Sequence, residues 1–342
     1  MNIILGIDTS CDDTAAAVVE GGTKVISNIV STQTEIHTKY GGIVPELACR
    51  RHIEMIWPVV NEALSVAGIQ LDDLSGLAVC NGPGLIGSLL IGCSFAKAIC
   101  YSRNVPLLAV NHLEGHIFSV FLEEPKPSFP FLALIVSGGH TCLYRVDDFG
   151  AYRELGRTRD DAAGEAYDKV SKLLGLGYPG GPLIEKIAQK GNRSAIEFPR
   201  AYLQESFDFS FSGLKTAVLN FVKRNELSLT LKDTSRIAHH TSLNDVAASF
   251  QASVIDVLVR KTEWAIEKEG IRRVVLTGGV AANRELRKRM KEMGHEHEAK
   301  VFIPSPFFCT DNAAMIASAG YCHLNAGNIA GLDLNPKAYM PL

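Results

Sequence analysis

Two histidines four residues apart are the side chains whose type and spacing most strongly indicate chemistry. His112 and His116 occur in the segment NHLEGHI, directly after an apolar run that predicts a strand. At this spacing both imidazoles lie on one face of a helix, close enough to share a metal ion. Single histidines more often have structural roles, and a non-metal interpretation of the pair stays open without a third ligand.

Asp311 is the best candidate for that third ligand. It occurs in FCTDNAAMIAS, where the pattern predicts that a helix begins at the aspartate. Two imidazoles and one carboxylate with open coordination positions suit Fe²⁺ or Zn²⁺. We therefore expect one divalent metal ion per chain, with Fe²⁺ favoured and Zn²⁺ as the alternative.

Acidic and glycine-rich bends form a second set of candidates. The bend in LGIDTSCDDT carries Asp12 and Asp13, and the bend in LIVSGGHTCL carries Gly138 and Gly139. Glycines lack a Cβ atom, so a phosphate or an acyl oxygen can approach the backbone N–H groups. The segment LTGGVAANRELR predicts a strand, a turn and a helix start near Asn283, which favours an anion. The alternative for each bend is a tight turn without a ligand.

The elements that position these residues occur twice in the same order. Three strands joined by short turns open the chain, and helices then alternate with strands. The order recurs after the proline-rich segment EEPKPSFP. We interpret this as an α/β fold of two RNase H-like βββαβα units, an actin-like architecture with two domains and an interdomain cleft that binds a nucleotide. A generic doubly wound sheet, the alternative, does not explain two opening three-strand segments.

The duplication predicts two domains. The first spans residues 1–110 and is completed by the tail 324–342. The second spans 111–323 and contains an insertion at about 178–243, followed by a long helix with a capping-box pattern at Ser242 and Asp245.

Composition excludes some classes of protein. The net charge of −3 gives no overall attraction to a polyanion, so composition alone does not predict nucleic-acid binding. The eight cysteines include no CxxC pair, which indicates reduced thiols. The longest apolar run, FLALIV, is far shorter than the roughly 20 residues that span a membrane. We expect no membrane association and a cytoplasmic location.

Eight segments in the right order make the chain similar to a known family. They are LGIDTSCDDT, GGIVPELACRRHIE, NGPGLIGSL, NHLEGHI, IVSGGHT, DDAAGEAYDKVSKLLGLGYPGGP, FDFSFSGLKTAV and TGGVAANRELR. Together they cover nearly the whole chain. In this respect the sequence resembles the bacterial tRNA adenosine threonylcarbamoyltransferase family, TsaD.

The resemblance implies a transferase reaction. The family takes threonylcarbamoyl-AMP and passes the threonylcarbamoyl group to the exocyclic amine of adenosine 37 of tRNAs that read codons beginning with A. AMP is released. The acyl donor is already activated, so the enzyme chiefly needs orientation and stabilisation of charge. No serine or cysteine nucleophile is required.

The resemblance also assigns roles to residues. The metal ligands would be His112, His116 and Asp311. The substrate-binding residues would be Ile135, Val136, Ser137, Gly138, Gly139, Asp168, Gly181, Glu185 and Asn283. Asp12 and Asp13 would have catalytic roles, in positioning the acyl group or as a base. Family members often carry Asp in place of Glu185 and Glu in place of Asp13.

The family works with partners, and three other activities compete with the transferase interpretation. Bacterial members act with an inactive paralogue, TsaB, and a P-loop ATPase, TsaE, on tRNA. A metalloprotease is disfavoured because Glu114 does not immediately follow the first histidine. A sugar or acyl kinase of the same fold would have no use for the histidine pair. A chaperone-like ATPase scaffold would not transfer the acyl group.

Overall fold

Apolar segments buried on both faces form the central strands of two five-stranded sheets. The computed structural model describes residues 2–203, 206–225 and 242–342. These residues divide into two units. The first comprises the chain up to Pro127 together with Pro304–Leu342, and the second comprises Ser128–Ile303.

The sheet of the first unit has the strand order β3-β2-β1-β4-β5. Its strands are β1 (Ile3–Asp8), β2 (Asp13–Glu20), β3 (Lys24–Thr32), β4 (Gly76–Gly82) and β5 (Leu107–Asn111). The first three strands pair antiparallel, because short turns join them, whereas β4 and β5 follow long crossovers and pair in parallel.

Six α-helices are described in the first unit. They are α1 (Thr34–Thr38), α2 (Pro45–Ala67), α3 (Ile86–Arg103), α4 (His112–Phe118), α10 (Pro306–Cys309) and α11 (Ala313–Asn325), with 3₁₀ turns at Leu71–Asp73 and Ser119–Leu122. Leu5 and Ile7 of β1 share a core with α2 and α3 on one face. On the other face a Cβ on Gly6 would lie 2.3 Å from the carbonyl oxygen of Ala313. Helix α11 therefore lies directly against the strand.

The second unit repeats the topology. Its sheet has the order β10-β9-β6-β7-β8. The strands are β6 (Phe131–Val136), β7 (Thr141–Asp148), β8 (Ala151–Arg157), β9 (Arg273–Thr277) and β10 (Lys300–Phe302). β6, β7 and β8 pair antiparallel, whereas β9 and β10 add in parallel. Each strand thus has a counterpart in the first sheet, and the predicted duplication is confirmed.

Five α-helices are described in the second unit. They are α5 (Ala163–Leu173), α6 (Gly180–Ala188), α7 (Ser212–Arg224), α8 (Leu243–Glu269) and α9 (Arg284–Glu296), with a 3₁₀ turn at Gly279–Ala282. The long helix α8 packs against α6, α7 and α9. Ser242 caps it and Asp245 completes the predicted capping box. Part of the predicted insertion, namely 204–205 and 226–241, lies outside the described residues.

The boundaries of the units differ from those predicted for the domains. The sequence assigned residues 111–127 and 304–323 to the second domain, following the order of the duplication. In the structure both segments belong to the first unit. The physical reason is that α11 packs on β1, β2 and β4, and α4 packs on α11.

In the described part of the chain, no helix combines the length and the apolar character needed to cross a membrane.

Candidate functional site

The three predicted metal ligands lie together in the first unit and are called the metal group below. His112 is the first residue of α4 and His116 follows one turn later. Asp311 lies in the loop before α11, with its Oδ1 3.6 Å from Nε2 of His112 and 3.3 Å from Nε2 of His116. One ligand atom of each residue lies within 4.8 Å of the others, so a single ion could contact all three.

The loop that carries Asp311 is set by its neighbour. Asn312 caps α11, because its side chain accepts a hydrogen bond from the backbone N–H of Met315 at 3.1 Å. The prediction that the helix begins at Asp311 is therefore wrong by two residues. As a consequence the cap does not depend on the Asp311 carboxylate.

Burial makes the metal group a good fit for a divalent ion. The side chain of His116 is fully buried and that of His112 is 7% exposed. Both ring nitrogens of His116 and Nδ1 of His112 have no hydrogen-bond partner among residues 2–203, 206–225 and 242–342. Buried polar atoms in native proteins almost always have a partner. Two imidazoles with unsatisfied nitrogens and a carboxylate are the donor set that Fe²⁺ and Zn²⁺ accept.

The two rings differ in their electrostatic surroundings. Burial lowers the pKa of His116, which favours the neutral ring that a metal ligand requires. Burial also acts to lower the pKa of His112, but Asp311 and Asp8 outweigh it and hold that pKa well above its usual value. Binding of an ion to His112 therefore releases a proton and becomes stronger as the pH rises.

Asp8 and Cys80 form a second buried group with His112, which the sequence did not predict. Asp8 ends β1 and Cys80 lies on β4, and these strands pair in parallel. The carboxyl ends of neighbouring parallel strands meet at one edge of a sheet. The positions of Asp8 and Cys80 toward the ends of two such strands could therefore have predicted that they lie close together. Burial raises the pKa of the Cys80 thiol to about 12, so the thiol is protonated when no ion is bound.

Asp12 lies in the bend between β1 and β2 of the first unit, and Asp13 is the first residue of β2. Burial, and then the charge of Asp311, raises the pKa of Asp12. Burial, followed by the charges of Asp12 and Asp311, raises the pKa of Asp13 to about 7. A carboxyl group with such a pKa can exchange a proton near neutral pH. Their catalytic roles stay predictions.

Two of the predicted substrate residues have side chains that are buried in the core of the second unit. Ile135 and Val136 are the last residues of β6 and are fully buried. Only their backbone could contact a ligand.

The turn after β6 exposes two glycines of the predicted substrate loop. The backbone N–H of Ser137 donates to the carbonyl of His140 at 2.8 Å, and Oγ of Ser137 accepts from the N–H of His140 at 3.1 Å. A Cβ on Gly138 or Gly139 would meet no atom within 4 Å. The turn is therefore rigid and open on its glycine side.

Gly138 belongs to a pocket in the second unit, called the glycine pocket below. It brings together residues from three of the family segments and the residues beside them. The lining consists of Gly138, Gly164, Tyr167, Asp168, Pro179, Gly181, Pro182, Glu185, Gly279, Val280, Ala282 and Asn283. Five predicted substrate residues are among them, whereas Ile135, Val136, Ser137 and Gly139 are not.

The acidic side chains of the glycine pocket bind neighbouring backbone groups. Oδ1 of Asp168 accepts a hydrogen bond from the N–H of Gly180 at 2.7 Å, at the start of α6. Oε1 of Glu185 accepts from the N–H of Arg284 at 2.8 Å, at the start of α9. Both carboxylates therefore fix helix ends that border the pocket.

Asn283 is held in the same way. It caps α9, since its Oδ1 accepts from the N–H of Leu286 at 2.9 Å. Its Nδ2 donates to Oε1 of Gln251 at 2.8 Å. The residue is 7% exposed. Its amide thus has structural partners on both ends, which sequence reasoning did not predict.

Tyr167 is a pocket residue that sequence reasoning did not single out. It is 2% exposed and packs edge-on against Phe250, with 5.2 Å between the ring centroids. Its hydroxyl has no hydrogen-bond partner within the described ranges of the chain. Tyr167 lies in GEAYDKV, which is part of one of the family segments, so the resemblance could have identified it.

Comparison with known families decides between the activities left open by the sequence. A family model described as tRNA N6-adenosine threonylcarbamoyltransferase, TsaD, matches residues 24–318. The chain belongs to this threonylcarbamoyltransferase family. A curated relative of that name from Thermodesulfovibrio yellowstonii is 58% identical over 340 residues, covering 99% of this chain and 100% of the relative. Another, from Trichlorobacter lovleyi, is 51% identical over 341 residues, covering 99% and 97%.

Solved structures of distant proteins confirm the actin-like fold of this threonylcarbamoyltransferase family member. Component A of (R)-2-hydroxyglutaryl-CoA dehydratase from Acidaminococcus fermentans aligns with a TM-score of 0.56 at 14% identity, covering 95% of this chain and 100% of that one. Full-length HypF aligns with a TM-score of 0.60 at 14% identity, covering 95% and 46%. At such identities the likeness concerns the fold alone.

Proposed function

We propose that the protein transfers the threonylcarbamoyl group from threonylcarbamoyl-AMP to the exocyclic amine of adenosine 37 in tRNAs that read codons beginning with A. The observation that carries this proposal is the family match over residues 24–318. It favours acyl transfer over the sugar kinase, metalloprotease and chaperone alternatives. The metal group and the glycine pocket would be the two sites of this transfer, one for a metal ion and one for the adenylate.

The metal group would hold one divalent ion through His112, His116 and Asp311. Fe²⁺ is favoured and Zn²⁺ is the alternative, because two imidazoles and one carboxylate leave coordination positions open for a substrate. When bound, the ion supplies a Lewis acid for the acyl carbonyl oxygen. The protein contributes closely spaced ligand atoms, two of them on buried imidazoles.

The glycine pocket would hold the adenylate part of the donor. Gly138 offers backbone N–H groups without a Cβ atom in the way, and Gly181 does the same at the start of α6. Asp168, Glu185 and Asn283 hold the helix ends around the pocket. Recognition in this proposal therefore depends on backbone groups whose positions the side chains fix.

The reaction itself needs few groups. The adenosine amine attacks the carbamoyl carbon of the mixed anhydride, a C–N bond forms, and the bond to the phosphate oxygen breaks so that AMP leaves. The amine also loses a proton. Asp13, whose pKa is raised to about 7, and Asp12 are the proposed acceptors or positioning groups.

The partners are part of the same proposal. By its family the protein would act on tRNA together with the paralogue TsaB and the ATPase TsaE. Because tRNA is a cytoplasmic substrate, we place the protein in the cytoplasm.

A direct assay tests the proposed function. The purified protein, with its TsaB-type and TsaE-type partners, is given threonylcarbamoyl-AMP labelled in the threonine part and unmodified tRNA. Mass spectrometry of the nucleosides should find labelled threonylcarbamoyladenosine, with one AMP released per transfer. A matched tRNA with guanosine at position 37 should accept no label. Absence of modified adenosine with all components present would contradict the proposal.

A further inference from the structure

Asp8 faces the side of the His112 ring opposite to Asp311. Its Oδ2 lies 3.4 Å from Nδ1 of His112, whereas Nε2 of that ring faces Asp311 at 3.6 Å. The side chains of Asp8 and His112 are 2% and 7% exposed. In the described part of the chain neither Oδ2 of Asp8 nor Nδ1 of His112 has a hydrogen-bond partner. Two buried polar atoms with complementary chemistry thus face each other.

We propose that Asp8 is a positioning residue for the metal centre. Its carboxylate accepts a hydrogen bond from Nδ1–H of His112 and thereby keeps the lone pair of Nε2 directed at the ion. The inference rests on the proposed role of the metal group as ligands.

The chemistry of imidazole gives Asp8 this role. A neutral ring has one N–H donor and one lone pair, and the partner of one nitrogen decides which form the other takes. A carboxylate accepts hydrogen bonds and cannot donate one. With Asp8 beside Nδ1, the proton belongs on Nδ1 and the lone pair on Nε2.

The position of Asp8 is fixed by its surroundings. The residue ends β1, a strand paired with β2 on one side and β4 on the other. Its Oδ1 accepts a hydrogen bond from the N–H of Ser10 at 2.9 Å, which leaves Oδ2 for His112. The carboxylate therefore cannot turn away without losing a buried hydrogen bond.

The same residues could instead form a second metal site, because Asp8, Cys80 and His112 lie within reach of one ion. This alternative needs the imidazole of His112 to bridge two ions, and it needs a thiolate at Cys80. A bridging ring must lose its ring N–H proton, whereas a single ion on Nε2 leaves that proton on Nδ1, 3.4 Å from the Asp8 carboxylate. We therefore assign Asp8 to the support of His112 and not to coordination.

Two substitutions at Asp8 separate this role from packing. In Asp8→Asn the amide oxygen keeps the bond to Ser10, so the NH₂ group faces Nδ1 of His112. That group donates, which favours the ring form with hydrogen on Nε2 and blocks the ligand atom. Asp8→Ala leaves a gap but imposes no ring form. If Asp8 only fills space, Asp8→Ala should bind metal more weakly than Asp8→Asn. The proposed role predicts instead that Asp8→Asn binds metal at least as weakly as Asp8→Ala.

The measurement is the affinity of the full-length protein for Zn²⁺, in competition with a chromophoric chelator. Asp8→Asn should bind Zn²⁺ about tenfold to hundredfold more weakly than wild type, the usual loss when a residue behind a ligand is removed. Circular dichroism of the metal-free variants establishes that both are folded. In ¹⁵N-histidine-labelled wild type loaded with Zn²⁺, Nδ1 of His112 should carry the proton.

Glu114→Gln is the matched control. Glu114 is a buried carboxylate on the same helix α4, and its Oε2 pairs with Nε2 of His323 at 2.7 Å. This change should leave the affinity for Zn²⁺ close to that of wild type. Wild-type affinity in Asp8→Asn, alongside weakened binding in His116→Ala, would overturn the role of Asp8 and leave the metal group standing. Wild-type affinity in His116→Ala would instead overturn the ligand assignment, and the inference with it.

Discussion

The metal group and the glycine pocket use polar side chains in opposite ways. In the first unit, both ring nitrogens of His116 are buried without a hydrogen-bond partner in the described residues, which makes this ring available to an ion. In the second unit, Asp168, Glu185 and Asn283 line a pocket but hydrogen-bond to nearby backbone and side-chain groups. The polar side chains of the metal group can therefore bind a ligand directly, whereas those of the glycine pocket hold the backbone in position.

The difference shows which substitutions should affect binding without affecting folding. Removing Asp311 from the metal group leaves the cap of α11 at Asn312 in place, so metal affinity should fall while the fold persists. Removing a polar side chain from the glycine pocket breaks bonds that hold the unit together, so stability should fall first. The following predictions test this contrast, from the largest expected effect to the smallest.

Asp311→Ala should abolish tight metal binding and barely change the stability of the metal-free protein. Two remaining imidazoles are too few protein ligands to hold a divalent ion tightly. The cap of α11 is provided by Asn312, so the helix start is retained. Metal content after dialysis and thermal unfolding of the chelator-treated protein measure the two effects. Stoichiometric metal in the variant would refute the ligand role.

Gly138→Ala should weaken AMP binding at least tenfold, about 1.4 kcal/mol, without lowering the unfolding temperature. The added methyl group meets no protein atom within 4 Å, so it would fill the space that a phosphate needs next to the backbone. Gly213→Ala, on α7 and equally open, is the control and should leave binding unchanged. Isothermal titration with AMP gives the affinities. Equal affinities in both variants would mean that the ligand does not approach this turn.

Asn283→Ala should destabilise the protein and weaken nucleotide binding, with metal content unchanged. Loss of a helix cap costs about 1 kcal/mol, and an unpaired buried amide such as that of Gln251 costs about 1–3 kcal/mol. Chemical unfolding of the metal-free protein measures the loss. Asn283→Asp keeps the cap acceptor and should recover most of the stability. An unchanged affinity for AMP in Asn283→Ala would remove α9 from the nucleotide site.

Asp13→Asn should change how stability depends on pH in the chelator-treated protein. The folded state raises the pKa of Asp13 from 3.8 to about 7, so the folded state holds the proton more strongly than the unfolded chain. This contribution to stability is complete below pH 3.8, the pKa of the group in the unfolded chain. It is lost as the pH rises through about 7, the pKa in the folded state. The variant should therefore be more stable than wild type at pH 8 and similar to it at pH 4. Parallel stability curves from pH 4 to 8 would argue against a raised pKa.

Local patterns in the sequence predicted the duplication and the histidine pair. Strand-turn-strand alternation marks both opening segments, and a spacing of four residues places His112 and His116 on one helical face whatever the rest of the chain does. The structure brings Gly138, Asp168, Gly181, Glu185 and Asn283 together around one pocket, and their role in substrate binding stays a prediction.

Contacts between distant segments explain what the sequence did not predict. Helix α11 returns to the first sheet, where a glycine at position 6 admits it, and no local pattern encodes this return. The partner of Asn283 is Gln251, 32 residues away, and the partner of Glu185 is the N–H of Arg284, 99 residues away. The pairing of Asp8 with His112 likewise depends on neighbouring strands that are far apart along the chain.

Transfer by histidine variants tests the central claim, that the metal group serves the reaction and the glycine pocket separately holds the nucleotide. The assay supplies threonylcarbamoyl-AMP, unmodified tRNA and the partner subunits, and quantifies modified adenosine for wild type, His112→Ala, His116→Ala and the double variant. Either single change should abolish transfer, and the double variant should be no worse, since ligands of one ion act as a unit. AMP affinity should stay at the wild-type value in all three. Near-normal transfer by a variant shown to be metal-free, or loss of AMP binding together with the metal, would contradict the account.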